Sequence, residues 1–471
     1  MNLVFYDTET TGTDTTYDQI LQFGAIKTDH DLNELDRFEI RCRLLPYVVP
    51  SPGALLITGV SIQKLTDPAL PSHYEMIRAI RAKLTEWSPA IFIGHNSLNF
   101  DEHLLRQAFY KTLHAPYLTN SNGNGRTDSL RMILAAEHYA PGTLTVPLNE
   151  KGKPSFKLEG IAQANGFDHS NAHDAMADAE ATIHLCRLLS ARVPSHWQSF
   201  IRHAQKSAAN NLIADNRIIV LTDIMYAKSY SRVVTRIGVS PENSSEVLVF
   251  DLSVDPKELI DLTEEELAER LGESPKPVRS LKTNSGPIVI PYEDAPEHIC
   301  PDSLTGKEAA ERADCIEKTP GFMGRLLRAF GRVREEREKK EPAVYVEEKI
   351  YEGFASREDQ KLMDRFHELE WPARPALLER LSDERYRQLG QRLIYSEAPD
   401  ALSGETRREY EAAIARRLMG VEEDVPWLTY PKAIEEVADL SKGMDGSDGS
   451  QLIEIKEYLE RSAEIAAEKL D

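Results

Sequence analysis

Apolar residues along the first 190 positions fall alternately into strand-like runs and helical spacings. Leu3-Val4-Phe5-Tyr6 is a short apolar and aromatic run that reads as a buried strand. Residues 20–27 alternate and 38–44 follow as a third strand, with a polar turn over 29–33, so the opening reads as an antiparallel meander. Pro46, Pro50 and Pro52 break the pattern. The apolar segment 54–60 then ends at Thr58-Gly59, where the backbone can approach a ligand closely. Tyr74, Ile77, Ile80 and Leu84 share one face of a helix over 73–86. A buried strand over 90–94 leads into His95-Asn96, and a helix through Leu104, Leu105, Ala108 and Phe109 starts near Asp101. Asp128 is placed to cap a helix over 128–136, and 154–159 opens a short one. A last helix, capped by Asn171 and running to about 189, packs through Ala175, Ala179, Ile183 and Cys186. Small alanines let such a helix lie close to a sheet. The class is α/β.

After Pro194 the pattern changes. Segments 217–226, 231–239, 246–252, 278–284 and 287–291 are β-rich and separated by turn signals, which fits a small barrel or curled sheet. Residues 303–340 turn helical. Arg325, Arg328, Arg332, Arg334, Arg337, Lys339 and Lys340 crowd that stretch, interleaved with Glu335, Glu336 and Glu338, and read as a solvated helix face. From 347 onward the pattern is helical, broken by Pro372, Pro375, Pro399 and a Gly/Ser/Asp linker over 443–450. No internal repeat is evident. Three domains are expected, at 1–195, 196–345 and 346–471.

Composition adds limits. With 471 residues, 41% hydrophobic and 28% charged, the chain is long enough for several cores and has a globular balance. It contains no run of 18 apolar residues, so no membrane span is expected. A strand begins within three residues of Met1, leaving no room for a signal peptide. Cys42, Cys186, Cys300 and Cys315 show neither C-x-x-C pairing nor metal-ligand spacing, as in a reducing cytoplasm. The net charge of −21 argues against a generally basic, nucleic-acid-binding surface, but leaves room for a local cationic channel.

The chemistry starts at Asp7-Thr8-Glu9. Carboxylates at i and i+2 on a strand share a face, and two anions that close repel unless a cation lies between them. That suggests a divalent metal with hard oxygen ligands. An isolated D-x-E is more often a pair of solvated acids. Asp101 taken alone reads equally well as a helix-dipole partner, and a lone His173 in a first helical turn is usually solvated. Asp178, beside a buried alanine face, is less ordinary, because an unpaired buried carboxylate is costly. The acidic stations and the histidine together shift the balance toward a site.

D-x-E on a strand end, Asp101 after a strand–helix junction and H-x4-D on a late helix resemble the DEDDh superfamily of 3′→5′ exonucleases, with a ribonuclease H-like fold. Ile57-Thr58-Gly59, Gly94-His95-Asn96 and Phe100-Asp101 agree. Stretches 52–59, 154–159 and 170–178, and more loosely the β-rich middle and 351–354, resemble the bacterial exodeoxyribonuclease I family. That family degrades single-stranded DNA from its 3′ end. Its exonuclease domain is followed by an SH3-like domain and a helical domain that close a channel over the strand. The resemblance implies two Mg²⁺ ions, with Mn²⁺ as a substitute. Asp7 bridges them, Glu9 and Asp178 complete the first, Asp101 holds the second, and His173 is the general base. It places Thr58, Asn96, Phe100, Arg106, Tyr110 and Lys157 near the DNA. It further implies a role in DNA repair, a monomer, single-stranded DNA as substrate and contact with the acidic tail of single-stranded DNA-binding protein. Residues 321–340 and 417–471 have no clear counterpart, so a partner site there stays open. The segment 1–195 holds all five catalytic candidates and reads as having a complete apolar core. Two alternatives remain: a DEDDh nuclease acting on RNA, and a silent DNA-end-binding scaffold. The complete set Asp7, Glu9, Asp101, His173 and Asp178 argues against the scaffold.

Overall fold

The computed structural model describes residues 1–168, 173–301, 304–337, 342–422, 424–443 and 447–470. Its first sheet has five strands, β1 (Asn2–Thr10), β2 (Ile20–Thr28), β3 (Glu34–Arg41), β4 (Ala90–Gly94) and β5 (Gly125–Asp128). Their order is β3-β2-β1-β4-β5. The three N-terminal strands form the expected antiparallel meander, whereas β4 runs parallel to both β1 and β5. Asp29 makes the turn into β3 by accepting from the backbone NH groups of Asp31 and Asn33.

Two differences from the sequence pattern concern β1 and β3. β1 continues past the apolar run to Thr10, because Asp7 pairs with Gly24 and Glu9 with Gln22, and a bulge follows Glu9. The carboxylates therefore lie within the paired part of a strand, and its end falls at Thr10. β3 begins at Glu34, earlier than its apolar residues suggest, because it is an edge strand with a largely solvated face. β5, only four residues long and with no apolar run, was not visible in the pattern.

Both faces of the sheet are covered. Leu3, Phe5, Ile91 and Ile93 pack against Met132 and against Ala179, Ile183 and Cys186 of the Ala175–Arg192 helix. Val4, Tyr6 and Phe92 pack against Met76, Ile77 and Ile80 of the His73–Trp87 helix and Leu104 and Leu105 of the Asp101–Lys111 helix. Burying each of these larger side chains contributes about 1.5–3 kcal/mol.

The middle region is a second five-stranded sheet, fully antiparallel. Its strands β6 (Ile218–Met225), β7 (Lys228–Val239), β8 (Glu246–Asp251), β9 (Val278–Lys282) and β10 (Val289–Pro291) are ordered β10-β6-β7-β8-β9. The expected basic helix is Phe322–Arg337, and it buries Phe322, Leu326 and Ala329. Its outer arginines pair with a neighbouring helix, Glu264–Gly272, as Arg328–Glu264 and Arg332–Glu265, each at 2.7 Å. The charge run is thus a solvated helix face; Lys339 and Lys340 lie outside the described residues.

The remainder is helical, as expected, but the linker over 443–450 is shorter than the composition suggests. Residues 444–446 lie outside the described residues, and a helix already begins at Ser447 (Ser447–Ala467). Among the described residues no helix is long and apolar enough to cross a membrane.

Candidate active site

Gly24 lies opposite Asp7 in the β1–β2 register. A Cβ there would come within 2.6 Å of the Ala175 carbonyl carbon and the Met176 nitrogen, so the missing side chain lets the helix start rest directly on the sheet. Asp174 fixes that start. It caps the helix by accepting from Met176 N and Ala177 N, and it also receives Gln22 Nε2 at 3.0 Å and Arg41 Nη2 at 2.6 Å. The expected cap, Asn171, lies outside the described residues. His173 therefore precedes the helix instead of occupying its first turn. It is exposed, with φ of 65°, and its backbone leaves the helical path just before the cap. Asp178 sits one turn into the helix, above β1.

Ligating atoms of Glu9, His173 and Asp178 all lie within 4.8 Å of one another. Asp101 opens its helix and is 3% exposed, with Thr8 donating to its Oδ1 at 2.6 Å. The five candidates from the sequence are thus assembled by β1 and two helix starts. Burial, followed by the charges of Asp101, Asp178 and Glu9, pushes the Asp7 carboxyl well above the ordinary carboxylate range. Burial and then Asp178 and Asp101 raise Glu9 to about 8. Asp101 is raised to about 7, mainly by burial and against the hydrogen bond from Thr8. Carboxylates crowded together with so little compensating positive charge fit a divalent cation held by hard oxygen donors.

A pH prediction follows from the sign of these shifts. With folded pKa values above the unfolded ones, the metal-free protein holds extra protons from about pH 4 to about pH 8. The cluster's contribution to stability therefore falls as pH rises through that window, and a divalent ion must displace those protons to bind. Calorimetric titration with Mg²⁺ near neutrality is expected to release protons, seen as a dependence of the heat on the buffer. Buffer-independent heats would refute the shifts.

The substrate candidates separate into groups. Asn96 and Phe100 lie on the loop between β4 and Asp101. Asp128, the cap of the Ser129–Tyr139 helix, shapes that loop by accepting from Asn96 N and Leu98 N, each at 3.0 Å. His95 bonds Ser129 Oγ and the Phe156 carbonyl and so tethers exposed Lys157 beside the same loop. Thr58 ends the Pro52–Thr58 helix, capped by left-handed Gly59. Arg106 is buried with its guanidinium on Glu102 and over the Tyr117 ring. Tyr110 is corrected: it is 1% exposed and its hydroxyl donates to Val346 O at 3.0 Å, so it holds the C-terminal domain and faces no groove.

Beside the Asn96–Phe100 loop a cavity of about 980 Å³ opens between the two sheets. It is lined by Arg106, Arg126, Arg131 and Lys282 and by the rings of Tyr117 and Phe354. Of the residues just described, Thr8, Asp174, Asp128 and Arg126 carry roles that the sequence reading did not assign to the site. Asp174 had a visible signal, an Asp directly before an alanine-rich helix.

Three family models match successive parts of the chain: Exonuclease over residues 4–186, Exonuclease I SH3-like domain over 204–331 and Exonuclease I C-terminal domain over 345–462. The chain belongs to the exodeoxyribonuclease I family. It is a 3′→5′ exonuclease built as an exonuclease domain, an SH3-like domain and a helical C-terminal domain. Exodeoxyribonuclease I of Escherichia coli is 29% identical over 402 residues, covering 82% of this chain and 83% of the relative. That of Haemophilus influenzae is 27% identical over 381 residues, covering 76% and 78%. Among solved structures, exonuclease I from Methylocaldum szegediense matches with a TM-score of 0.83 at 26% identity, over 98% of this chain and 99% of that one. E. coli exonuclease I in complex with a dA16 oligonucleotide matches with a TM-score of 0.82 at 25% identity, over the same shares. The family matches also reach stretches that the sequence reading left without a counterpart, 321–331 and 417–462.

A structural prediction concerns Gly24. Gly24→Ala is expected to lift the helix start off the sheet, costing about 1–3 kcal/mol of stability and raising the metal concentration needed for activity. Thermal melts and metal titration of the variant check this; unchanged values in both would contradict the close approach.

Proposed function

We propose that this exonuclease removes nucleoside 5′-monophosphates one at a time from the 3′ end of single-stranded DNA, using two divalent metal ions. The observation that carries the reading is the convergence of Asp7, Glu9, Asp101 and Asp178 beside exposed His173, with the carboxyls of Asp7, Glu9 and Asp101 raised. Mg²⁺ is the expected ion and Mn²⁺ a substitute, held by Asp7 and Glu9 on β1 and by Asp178 and Asp101 from the helices. When bound, such ions supply positive charge at the scissile phosphate and acidify a coordinated water. His173 takes the proton of the attacking water, which its exposed position permits. The new P–O bond forms as the P–O3′ bond breaks, leaving a phosphate on the 5′ carbon of the released nucleotide.

The cavity supports a single strand as substrate. Arg131 and Lys282 offer charge to phosphates, while Tyr117 and Phe354 offer faces on which any base can stack. The oligonucleotide in the E. coli relative agrees in kind. Thr58, Asn96, Phe100 and Lys157 surround the terminal nucleotide, with Phe100 stacking on a base, and Arg106 lies along the strand's path. The domains divide near 195 and 345. The protein acts in DNA repair as a cytoplasmic monomer, a setting consistent with its four free cysteines. Single-stranded DNA-binding protein is its expected partner, and Arg328 and Arg332 are already engaged by glutamates of the chain itself. Digestion of matched DNA and RNA single strands and of blunt duplex tests the substrate. Preferred loss of the DNA strand is expected, and equal or faster loss of RNA would overturn it.

A further inference from the structure

Glu102 is 1% exposed and follows Asp101 in the first turn of its helix. Its Oε1 receives Arg126 Nη1 at 2.6 Å, Thr119 Oγ1 at 2.6 Å and Arg106 Nε at 3.0 Å. Its Oε2 receives the Tyr6 hydroxyl at 3.3 Å. Tyr6 precedes Asp7 on β1, and strand alternation turns its ring to the face opposite the Asp7 carboxylate. One buried carboxylate thus adjoins Asp101 in the chain and holds the neighbour of Asp7, the two being acids proposed to hold metal.

The grip extends into the SH3-like domain. Arg126, on β5, donates from Nε to Asn284 O at 3.1 Å and from Nη2 to Ser285 Oγ at 3.3 Å, and Arg131 Nη1 donates to Ser285 O at 3.0 Å. Gly286 lies flush on β5 at φ of 53°; a Cβ there would meet Thr127 Oγ1 at 2.7 Å. A loop of the second domain is therefore bonded to the same arginine that neutralises Glu102. A buried ion pair that served only to hold the fold together would not need to join these particular neighbours.

We infer that Glu102 is a positioning residue: clamped by Arg126, it sets the spacing of Asp7 and Asp101, and so ties metal binding to the docking of the SH3-like domain's 284–286 loop. This rests on the reading that Asp7 and Asp101 hold divalent ions. Groups bonded directly to metal ligands typically govern affinity by 10–100-fold. Glu102 acts one step further back, through Tyr6 and its place beside Asp101, so the lower end of that range is expected.

The test uses the full chain and Mn²⁺ as calorimetric probe, with Glu102→Gln, Arg126→Ala and Asp101→Asn compared to wild type. Glu102→Gln keeps the shape and the Tyr6 contact but loses the charge that holds Arg126. It is expected to weaken Mn²⁺ binding by about tenfold and to raise the Mg²⁺ needed for half-maximal activity similarly. KM for a DNA oligonucleotide at saturating metal should change far less. Arg126→Ala should shift metal affinity in the same direction, and the double variant should add little to the larger single effect. If Asp101→Asn weakens Mn²⁺ binding while Glu102→Gln and Arg126→Ala only lower the melting temperature, the positioning role is wrong. If Asp101→Asn itself leaves Mn²⁺ binding unchanged, the metal-site reading fails and the inference falls with it.

Discussion

Asp7→Ala is expected to lower the rate of nucleotide release by about 10³-fold or more while leaving the fold intact. Asp7 is central to the carboxylate cluster: Asp101, Asp178 and Glu9 all act on its charge. As the ligand proposed to be shared by both ions, its loss would remove several kcal/mol of transition-state stabilisation, and each ~1.4 kcal/mol is a factor of ten. The same crowding predicts the effect on stability. Without metal, Asp7 is a desolvated carboxyl among like charges, so its removal should hold or raise the melting temperature of the metal-free protein. The two readouts separate chemistry from folding. Activity within tenfold of wild type would contradict the site.

His173→Ala is expected to slow hydrolysis by about 10²–10⁴-fold, the usual range for loss of a general base. Mg²⁺ affinity should barely change, because imidazole is a poor partner for that hard ion. The geometry adds a second arm. His173 offers a nitrogen within 4.8 Å of ligating atoms of Glu9 and Asp178, a set that suits a softer ion such as Zn²⁺. The variant should therefore lose Zn²⁺ affinity while keeping Mg²⁺ affinity. Equal weakening toward both ions would make His173 a ligand for the working metal and remove it as the base.

Much of the site was legible because its parts lie in short, patterned segments. The apolar run before Asp7, the i, i+2 carboxylates and the alanine face around Asp178 each follow from local rules. The arrangement of the domains was not local. The segment 1–195 reads as having a complete core, yet Tyr74, Tyr110 and Leu113 pack with Val346, Phe366 and Leu389 of the C-terminal domain. The family resemblance placed Tyr110 near DNA, and a match of positions cannot show that its hydroxyl is taken up by Val346 of the C-terminal domain. Glu347 makes the same point. It is 1% exposed and, although burial opposes its charge, Arg392 and Arg417 hold its carboxyl down at about 2. None of those three residues stands out in a chain that is 28% charged. Asp174 was visible as a helix cap, but its bond to Gln22 was hidden, since that depends on which strand faces which helix start.

The central claim, metal-dependent removal of nucleotides from a 3′ end, is tested most directly by following one single-stranded DNA labelled at either end. With Mg²⁺, the 5′-labelled strand should shorten to a ladder, and the 3′-labelled strand should release its label as a mononucleotide from the first cut. Excess EDTA should stop both. Release of a 5′-terminal mononucleotide first, or undiminished digestion in EDTA, would contradict the account.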